Sequence, residues 1–364
     1  MDLKHNNMLN SFIIDKLKFY ININRGKSKF INLTYGDNVK LKKIQNEYKS
    51  IASIKISWNK LSITICPRKF LYHTNDNLYG LTLEEFKECL SKLQCLISEI
   101  EEALEIKAEH SIENAVITGI DLTKNIETEH LFHCYIPVFE SIRPRQNLYY
   151  VKYRNTYEVD YNTVYFRSKK RTDNSYRLNI KIYNKVKELE SRKVFIPIDL
   201  QGKNIMRFEL SLINSKCIQD KLGIKTINDI LNKGFTYLED KRDEIIQEYL
   251  FHETLTEDIK CLNSLDDIDL AKKLKESSNK NNVLNYLIIS GLEKIKYNYH
   301  KEVLISAGYT ESNIDDQFKK VKTYIRQHKK HRNIEEPTIA SLYKEIYMKY
   351  LKDSILTIKS KEVA

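Results

Sequence analysis

Glycine is scarce in this sequence, and so are long apolar runs. Only 9 of the 364 residues are Gly, about 2.5% against roughly 7% in average proteins. Neither GxGxxG nor GxxxxGKS/T occurs, so a fold that cradles phosphates in a Gly-rich loop is not expected. No segment approaches 18 uninterrupted apolar residues, and the first residues lack a signal-length apolar stretch. The sequence therefore predicts a cytoplasmic protein with no membrane partner.

Cysteine gives no sign of a metal site or a disulfide framework. The six cysteines form no CxxC pair and have no His at zinc spacing. They are Cys66, Cys89, Cys95, Cys134, Cys217 and Cys261. We interpret them as reduced, mostly buried residues of a cytosolic chain.

A surplus of positive charge is the strongest compositional feature. Lys and Arg number 60 against 49 Asp and Glu, a net charge of +11 with a pI near 9.0. Residues 143–203 hold 15 basic and 6 acidic residues, and residues 294–332 hold 10 and 4. This pattern favours nucleic acid, or less directly an anionic membrane, as partner. A basic soluble protein, with a solvated helix face at 294–332, is the alternative.

Periodicity predicts strands first and helices later. Two strands joined at Asn59-Lys60 are expected within 51–66, and further strands at 116–123, 132–139, 157–168, 176–184 and 205–213. A helix is expected over 81–108, with Thr82 and Glu85 as a capping box. Later helices are expected near 227–250, 265–276, 281–306, 312–330 and 338–358. The predicted fold class is α+β: a central antiparallel sheet packed by helices, over residues 1–240, followed by a helical C-terminal domain, 241–364.

Three of these strands each place one strong functional group on a polar face. The groups are Asp121, Tyr183 and Glu209. A carboxylate pair on neighbouring strands suits Mg²⁺ or Mn²⁺, since hard cations prefer oxygen ligands. The alternative is the ordinary solvated face of an antiparallel sheet.

Four segments in order resemble one protein family. They are GIDLT at 119–123, VYFRS at 164–168, IYNKVKEL at 182–189 and MRFEL at 206–210. Together they are similar to filamentous-phage and plasmid replication initiators of the gene II/gene X type, over roughly residues 50–240. The resemblance implies rolling-circle initiation by a metal-dependent DNA nickase that rejoins strands, with a sheet-based nicking domain.

The resemblance also implies roles for single residues. Tyr183 would be the nucleophile, and Asp121 and Glu209 would hold the metal. Gly119 departs from the family, where a basic residue is often found, and Arg167 stands where Gly is common. Paired His ligands of related nickases are absent, which leaves the metal to carboxylates.

Cations accompany the implied nucleophile on its strand. Lys181, Lys185 and Arg177 would favour the phenolate of Tyr183 and neutralise phosphoryl charge. Arg207 is expected either to bind phosphate or to pair near Glu209. Other DNA contacts are predicted at Lys169, Lys170 and Arg171 in a hairpin loop and at Lys329 and Lys330 in the C-terminal region.

Several side chains remain open to more than one interpretation. Glu188 could complete a metal shell, support Lys185 or be a solvated residue at a helix start. A run of tyrosines recurs every four residues and is interpreted as a wall or stacking surface rather than as nucleophiles: Tyr149, Tyr153, Tyr157, Tyr161 and Tyr165. His130 and His133 are expected on the surface.

The leading hypothesis is a replication initiator that nicks one DNA strand through a 5′-phosphotyrosine at Tyr183 and later rejoins it. Its partners would be the origin duplex and single strand, with host helicase and polymerase. A non-catalytic DNA-binding protein, either a regulator or a decayed initiator, is the second hypothesis. A metal nuclease that uses water is the third. The sequence indicates no oligomeric state.

Overall fold

A computed structural model of the chain describes most of its first 251 residues and parts of the remainder. The described residues are 13–26, 31, 33–48, 51–74, 77–142, 148–152, 163–169, 177–196, 198–251, 297–316, 318–319, 342–343 and 345–350. Within them one large antiparallel sheet carries helices on its apolar face. The predicted α+β class is confirmed.

Nine described strands form the sheet. They are β1 Ile13–Asn24, β2 Ile51–Ser57, β3 Lys60–Ile65, β4 Lys107–Ala108, β5 Val116–Thr128, β6 Leu148–Lys152, β7 Thr163–Ser168, β8 Leu178–Asn184 and β9 Asn204–Ile213. Eight lie in the order β2-β3-β1-β5-β9-β8-β7-β6, and the short β4 pairs with the end of β1. All neighbours are antiparallel. Strands that are distant in sequence, β5 and β9, thus become central neighbours.

Eight helices are bounded in the described part of the chain. They are α1 Tyr35–Glu47, α2 Pro67–Tyr72, α3 Leu83–Leu104, α4 Phe132–Ser141, α5 Lys185–Ser191, α6 Ser215–Leu222, α7 Ile227–Leu250 and α8 Tyr297–Ser306. The capping box predicted for α3 is confirmed, since Thr82 and Glu85 each bind the other's backbone N–H. No described helix has the length and apolar character needed to cross a bilayer.

One predicted strand is wrong: residues 132–139 lie in the helix α4. Its buried side chains, Phe132, Tyr135, Ile136 and Phe139, recur at the i, i+3, i+4, i+7 spacing of a helix. A short apolar run fits a strand or a buried helix equally well, so periodicity alone does not separate them. Tertiary packing decides the outcome, because Phe139 packs edge-on against Phe208 of the sheet.

The apolar face of the sheet also receives the end of the described chain. Tyr350 packs against Phe208, and Tyr343, Ile346 and Tyr347 are buried with it. The helix α7 runs across residue 240, where the two predicted domains were divided. The division itself stays a prediction, while five residues of the C-terminal region share the core of the sheet: Leu342, Tyr343, Ile346, Tyr347 and Tyr350.

A buried ionic cluster fastens these elements together. Asp243 of α7 accepts hydrogen bonds from Lys124 of β5, at 3.2 Å, and from the hydroxyl of Tyr350, at 2.8 Å. Arg242 donates to Asp243 at 2.8 Å and to the carbonyl of Thr123 at 2.7 Å. Burial opposes ionisation, but Arg242 and Lys124 outweigh it and hold the pKa of Asp243 at about 2. This carboxylate therefore remains charged in the core.

We expect Asp243→Asn to lower the free energy of unfolding by about 3 to 5 kcal/mol at pH 7, because two buried cations lose their counter-ion. The folded-state pKa lies below the usual 3.8, so this stabilisation is complete above about pH 4 and is lost as the pH falls towards 2. Urea unfolding at pH 7 and near pH 2 measures the free energy of unfolding of both proteins. Glu244→Gln is the control, since Glu244 pairs with Lys241 at the surface and should cost at most about 1 kcal/mol. Equal urea midpoints for the two variants at pH 7 would contradict the cluster's role.

Candidate active site

The face of the sheet opposite the helices carries polar side chains in cross-strand rows. Register aligns Tyr183 of β8 with Arg207 of β9 and Asn125 of β5. The next row joins Lys181, Glu209 and Thr123, and the third joins Asn179, Ser211 and Asp121. Because side chains alternate along strands, all nine share one face. The three groups predicted from separate strands thus converge on neighbouring strands.

Tyr183 lies at the centre of this face and touches one of the predicted acids. Its hydroxyl donates a hydrogen bond to Oε2 of Glu209 at 3.2 Å. The ammonium of Lys181 lies 3.8 Å from the same oxygen and 4.1 Å from the tyrosine ring centroid. The tyrosine is only 3% exposed, so its phenol lies within a polar layer rather than open to solvent.

The prediction that the strand cations lower the pKa of the Tyr183 phenol is wrong for the net shift. Burial raises the pKa of Tyr183 well above 10, and the opposing charge is that of Arg207 rather than of the predicted cations. Lys185 begins α5, with its ammonium 5.9 Å from the ring centroid, and Arg177 is exposed before β8 begins. In the folded chain the nucleophile candidate is a neutral phenol.

The two predicted acids influence each other electrostatically. Burial and the nearby charge of Glu209 raise the pKa of Asp121 to about 7. Burial also raises the pKa of Glu209, against the influence of Lys181. Asp121 accepts a hydrogen bond from Ser211 and lies beside Lys16 in register. Part of the rise in the pKa of Asp121 comes from repulsion between carboxylates, which a bound cation would relieve.

A third acid, Asp15, joins the site and was missed by sequence analysis. It occupies a bulge of β1, where the register with β5 shifts between Ile14 and Lys16. Its carboxylate lies 3.8 Å from Arg207 and accepts a hydrogen bond from Asn77. Burial raises its pKa, but Arg207 and Lys185 outweigh burial and lower it overall. The only sequence signal was a single acid inside an apolar run, and alternation does not predict the direction of a bulged residue.

Arg207 is fully buried, which argues against the predicted direct DNA contact. Its guanidinium donates to Oδ1 of Asn125 at 2.7 Å and to the carbonyl of Asn77 at 2.5 Å. The alternative prediction, pairing beside Glu209, matches its position. Arg207 thus supplies a fixed positive charge behind Tyr183.

Lys185 is also buried, at 1% exposure, and its surroundings favour one interpretation of Glu188. Its ammonium donates to Asn77 and to Oε2 of Glu188, both at 2.6 Å. Burial, with the charge of Arg207, lowers the pKa of Lys185 to about 8. The second oxygen of Glu188 accepts from Arg192 at 2.7 Å. Glu188 therefore supports Lys185, as one of its three interpretations proposed.

Two buried polar atoms on this face find no hydrogen-bond partner among the described residues: Oγ1 of Thr123 and Nη1 of Arg207. Thr123 lies opposite Glu209 in register, between the rows that carry Tyr183 and Asp121. Orphaned polar atoms beside mutually repelling carboxylates are typical of a place that receives a polar or ionic ligand. The donor set, Asp15, Asp121 and Glu209, consists of hard oxygens that fit Mg²⁺ or Mn²⁺.

A tighter group of candidate metal ligands lies elsewhere. Among the described residues, three ligand atoms within 4.8 Å of one another occur at Glu129, His130 and Glu345. Lys349 contacts both of these glutamates, so the protein already neutralises part of their negative charge. The three acids of the sheet face are not gathered so closely.

The departure at Gly119 has a structural reason. Gly119 pairs with Lys18 of β1, and a Cβ added at Gly119 would lie 3.2 Å from the Cβ of that lysine. Because Gly119 has no side chain, the side chain of Lys18 has room to lie over β5. Lys18 is exposed on the active face, so a cation lies beside this position on the neighbouring strand. Arg167, the other departure, hydrogen-bonds Asn179 at 3.3 Å and stacks on Tyr165.

The remaining predicted contacts lie at the periphery of the site or beyond the described residues. Arg177 and Lys169 are exposed, as a DNA contact requires. Lys170, Arg171, Lys329 and Lys330 fall outside the part of the chain that the structure describes, as do Tyr153, Tyr157 and Tyr161. Those assignments stay predictions.

Comparison with known families accounts for this combination of sheet and site. Residues 16–232 match the sequence model of a family described as the N-terminal region of the phage gene II replication-associated protein. A search of curated proteins found no match. The matched region runs from β1 through the start of α7 and so contains every strand that builds the polar face. Because the match spans more than half of the chain, the protein belongs to this replication-associated family, that of the filamentous-phage gene II-type replication initiators.

Proposed function

We propose that this chain initiates rolling-circle replication by nicking one DNA strand through Tyr183 and later rejoining it. The supporting observation is the contact of the Tyr183 phenol with Glu209, backed by the buried charge of Arg207. Membership of the replication-associated family supplies the DNA substrate class. Helicase and polymerase partners stay predictions.

The side chains support an in-line transesterification. As the phenol oxygen of Tyr183 forms its bond to phosphorus, its proton passes to Glu209, which already accepts that hydrogen bond. The bond between phosphorus and the 3′ oxygen breaks, and that oxygen takes up a proton from solvent to leave as a hydroxyl. Arg207 stabilises negative charge on the phenol oxygen. The phosphodiester energy is kept in the tyrosyl ester, so rejoining by reversal needs no ATP.

A divalent cation fits the acids of the same face. Asp15, Asp121 and Glu209 would hold Mg²⁺ or Mn²⁺, since one oxygen of Glu209 faces the phenol and leaves the other available. Such an ion supplies Lewis-acid polarisation of a phosphoryl oxygen. Lys181, partly exposed beside Glu209, neutralises the phosphate as it enters.

A pool of random-sequence single-stranded 40-mer oligonucleotides with Mn²⁺ tests this function without knowledge of the origin. We expect a fraction of 3′-labelled DNA to remain on the protein through SDS electrophoresis, while 5′-labelled DNA does not. Peptide mapping should place the adduct at Tyr183. Retention of 5′-labelled DNA on the protein, or the absence of any adduct, would contradict the proposal.

A non-catalytic DNA-binding protein is the second candidate function. The burial of the Tyr183 phenol and its raised pKa favour it, since both weaken a nucleophile. This candidate predicts salt-sensitive binding of the same oligonucleotides with no covalent adduct in Mg²⁺ or Mn²⁺. The capture experiment therefore separates the two functions.

A further inference from the structure

Two large apolar side chains project into solvent beside the active site. Phe195 is 75% exposed and Ile198 is 81% exposed. They lie in the connection from α5 to β9. The helix α5 itself directly follows β8, the strand of Tyr183. We call these two residues the apolar tip. Single exposed apolar residues are ordinary, but a pair so close in the chain needs a reason.

The backbone beneath the apolar tip is fastened to the domain. Val194 and Ile196 pack on a small core formed by Leu78, Leu189 and Leu200. The N–H of Val194 bonds the carbonyl of Leu189 at 3.0 Å, and Gln201 bonds the carbonyl of Ile196 at 3.1 Å. Val194 and Ile196, on either side of Phe195, are thus held inward. Phe195 projects because its neighbours are anchored.

The same small core connects the apolar tip to the active site. Leu78 follows Asn77, whose side chain bonds Lys185 and whose carbonyl bonds Arg207. The carbonyl of Leu78 accepts a hydrogen bond from Asn125 at 2.8 Å. The small core beneath the tip is therefore joined, through Asn77 and Leu78, to Lys185, Arg207 and Asn125 of the active site.

Size and charge indicate what the apolar tip contacts. One aromatic and one aliphatic side chain offer a few hundred Å² at most, whereas a stable protein interface needs about 800 Å² from each partner. Two exposed cations precede Phe195 by two and three residues: Lys193, and Arg192, which also pairs with Glu188 at 2.7 Å. A flat apolar ring next to cations matches a nucleic-acid base next to its phosphates.

We propose that Phe195 stacks on an unpaired base of the DNA strand, with Ile198 against its edge, and so holds that strand beside Tyr183. The identity of this strand as the one being nicked rests on the proposed function. Stacking tolerates any sequence because every base offers an aromatic face. The apolar tip thus contributes affinity for single strands rather than sequence recognition.

Binding of fluorescein-labelled oligo-dT 30-mer to the full chain in EDTA tests the inference. We expect Phe195→Ala to weaken binding about 5- to 100-fold and Phe195→Trp to restore it. Plots of log affinity against log salt should stay parallel, because no phosphate contact is removed. Tyr35→Ala is the control: Tyr35 is 87% exposed at the start of α1, and its removal should change nothing.

Binding of Phe195→Ala at wild-type affinity would overturn the inference. So would a wild-type dimer that Phe195→Ala converts to a monomer in sedimentation, since the tip would then join copies of the chain. Failure of wild-type protein to bind oligo-dT overturns it too. No cleavage takes place in EDTA, so absence of covalent capture with stacking intact would overturn only the nicking function.

Discussion

Tyr183→Phe should reduce covalent capture of single-stranded oligonucleotides by at least about 10³-fold, to background. The substitution removes one oxygen and keeps the buried ring, which is 3% exposed. The fold and the DNA affinity should therefore persist, and only the oxygen that we propose bonds phosphorus is lost. Capture is measured as 3′-label that stays on the protein in SDS, and binding of the same oligonucleotide is measured in EDTA.

Tyr165→Phe is the matched control for this variant. Tyr165 lies on the neighbouring strand β7, opposite Lys181 in register, and belongs to the tyrosine run interpreted as a stacking surface. It should keep wild-type capture. If capture instead disappears with Tyr165→Phe and survives in Tyr183→Phe, the nucleophile has been assigned to the wrong strand. Capture that survives in both variants would point to another nucleophilic side chain, whereas strand cleavage without any capture would favour hydrolysis by water.

Glu209→Gln and Asp121→Asn should each reduce metal-dependent capture by about 10² to 10⁴-fold. In the proposed function Glu209 would have two tasks, since it accepts the phenol hydrogen bond and would also contribute to the cation site. Asp121 would have only the second. We therefore expect excess Mn²⁺ to restore Asp121→Asn in part and Glu209→Gln hardly at all. Direct Mn²⁺ binding, followed by electron paramagnetic resonance, should weaken in both variants.

Glu127→Gln is the control for lost negative charge. Glu127 lies on the same strand as Asp121 but is exposed and pairs with Lys203 at 3.2 Å. Its removal should leave capture and Mn²⁺ affinity unchanged. Unaltered Mn²⁺ binding in Asp121→Asn and Glu209→Gln would contradict the proposed ion site, whatever happens to capture.

Strand periodicity predicted the polar face well because it depends only on local geometry. Met206, Phe208 and Leu210 alternate with Arg207 and Glu209, and the side-chain period of two forces these sets to opposite faces. The same logic placed Tyr183 and Asp121. Whether a polar face is open or covered is a different question. Alternation did not indicate that Arg207 is fully buried or that Tyr183 is nearly so.

The direction in which the pKa of Tyr183 shifts was the clearest failure of sequence reasoning at the site. Counting cations near Tyr183 along its strand predicted a lowered pKa, yet burial raises it. Desolvation depends on everything packed around a group, including the loop that carries Asn77 and the bulge that carries Asp15. Both come from parts of the chain far from Tyr183.

By itself the sequence determined six of the nine described strands, β2, β3, β5, β7, β8 and β9, with their polar and apolar faces, the capped helix and the residues that carry the family resemblance. Each follows from local spacing or from residue identity. Only the tertiary structure decided that β5 lies between β1 and β9, that a bulge brings Asp15 to the site and that residues 132–141 are helical. Those outcomes depend on contacts between segments far apart in the chain, whose energies no local pattern contains.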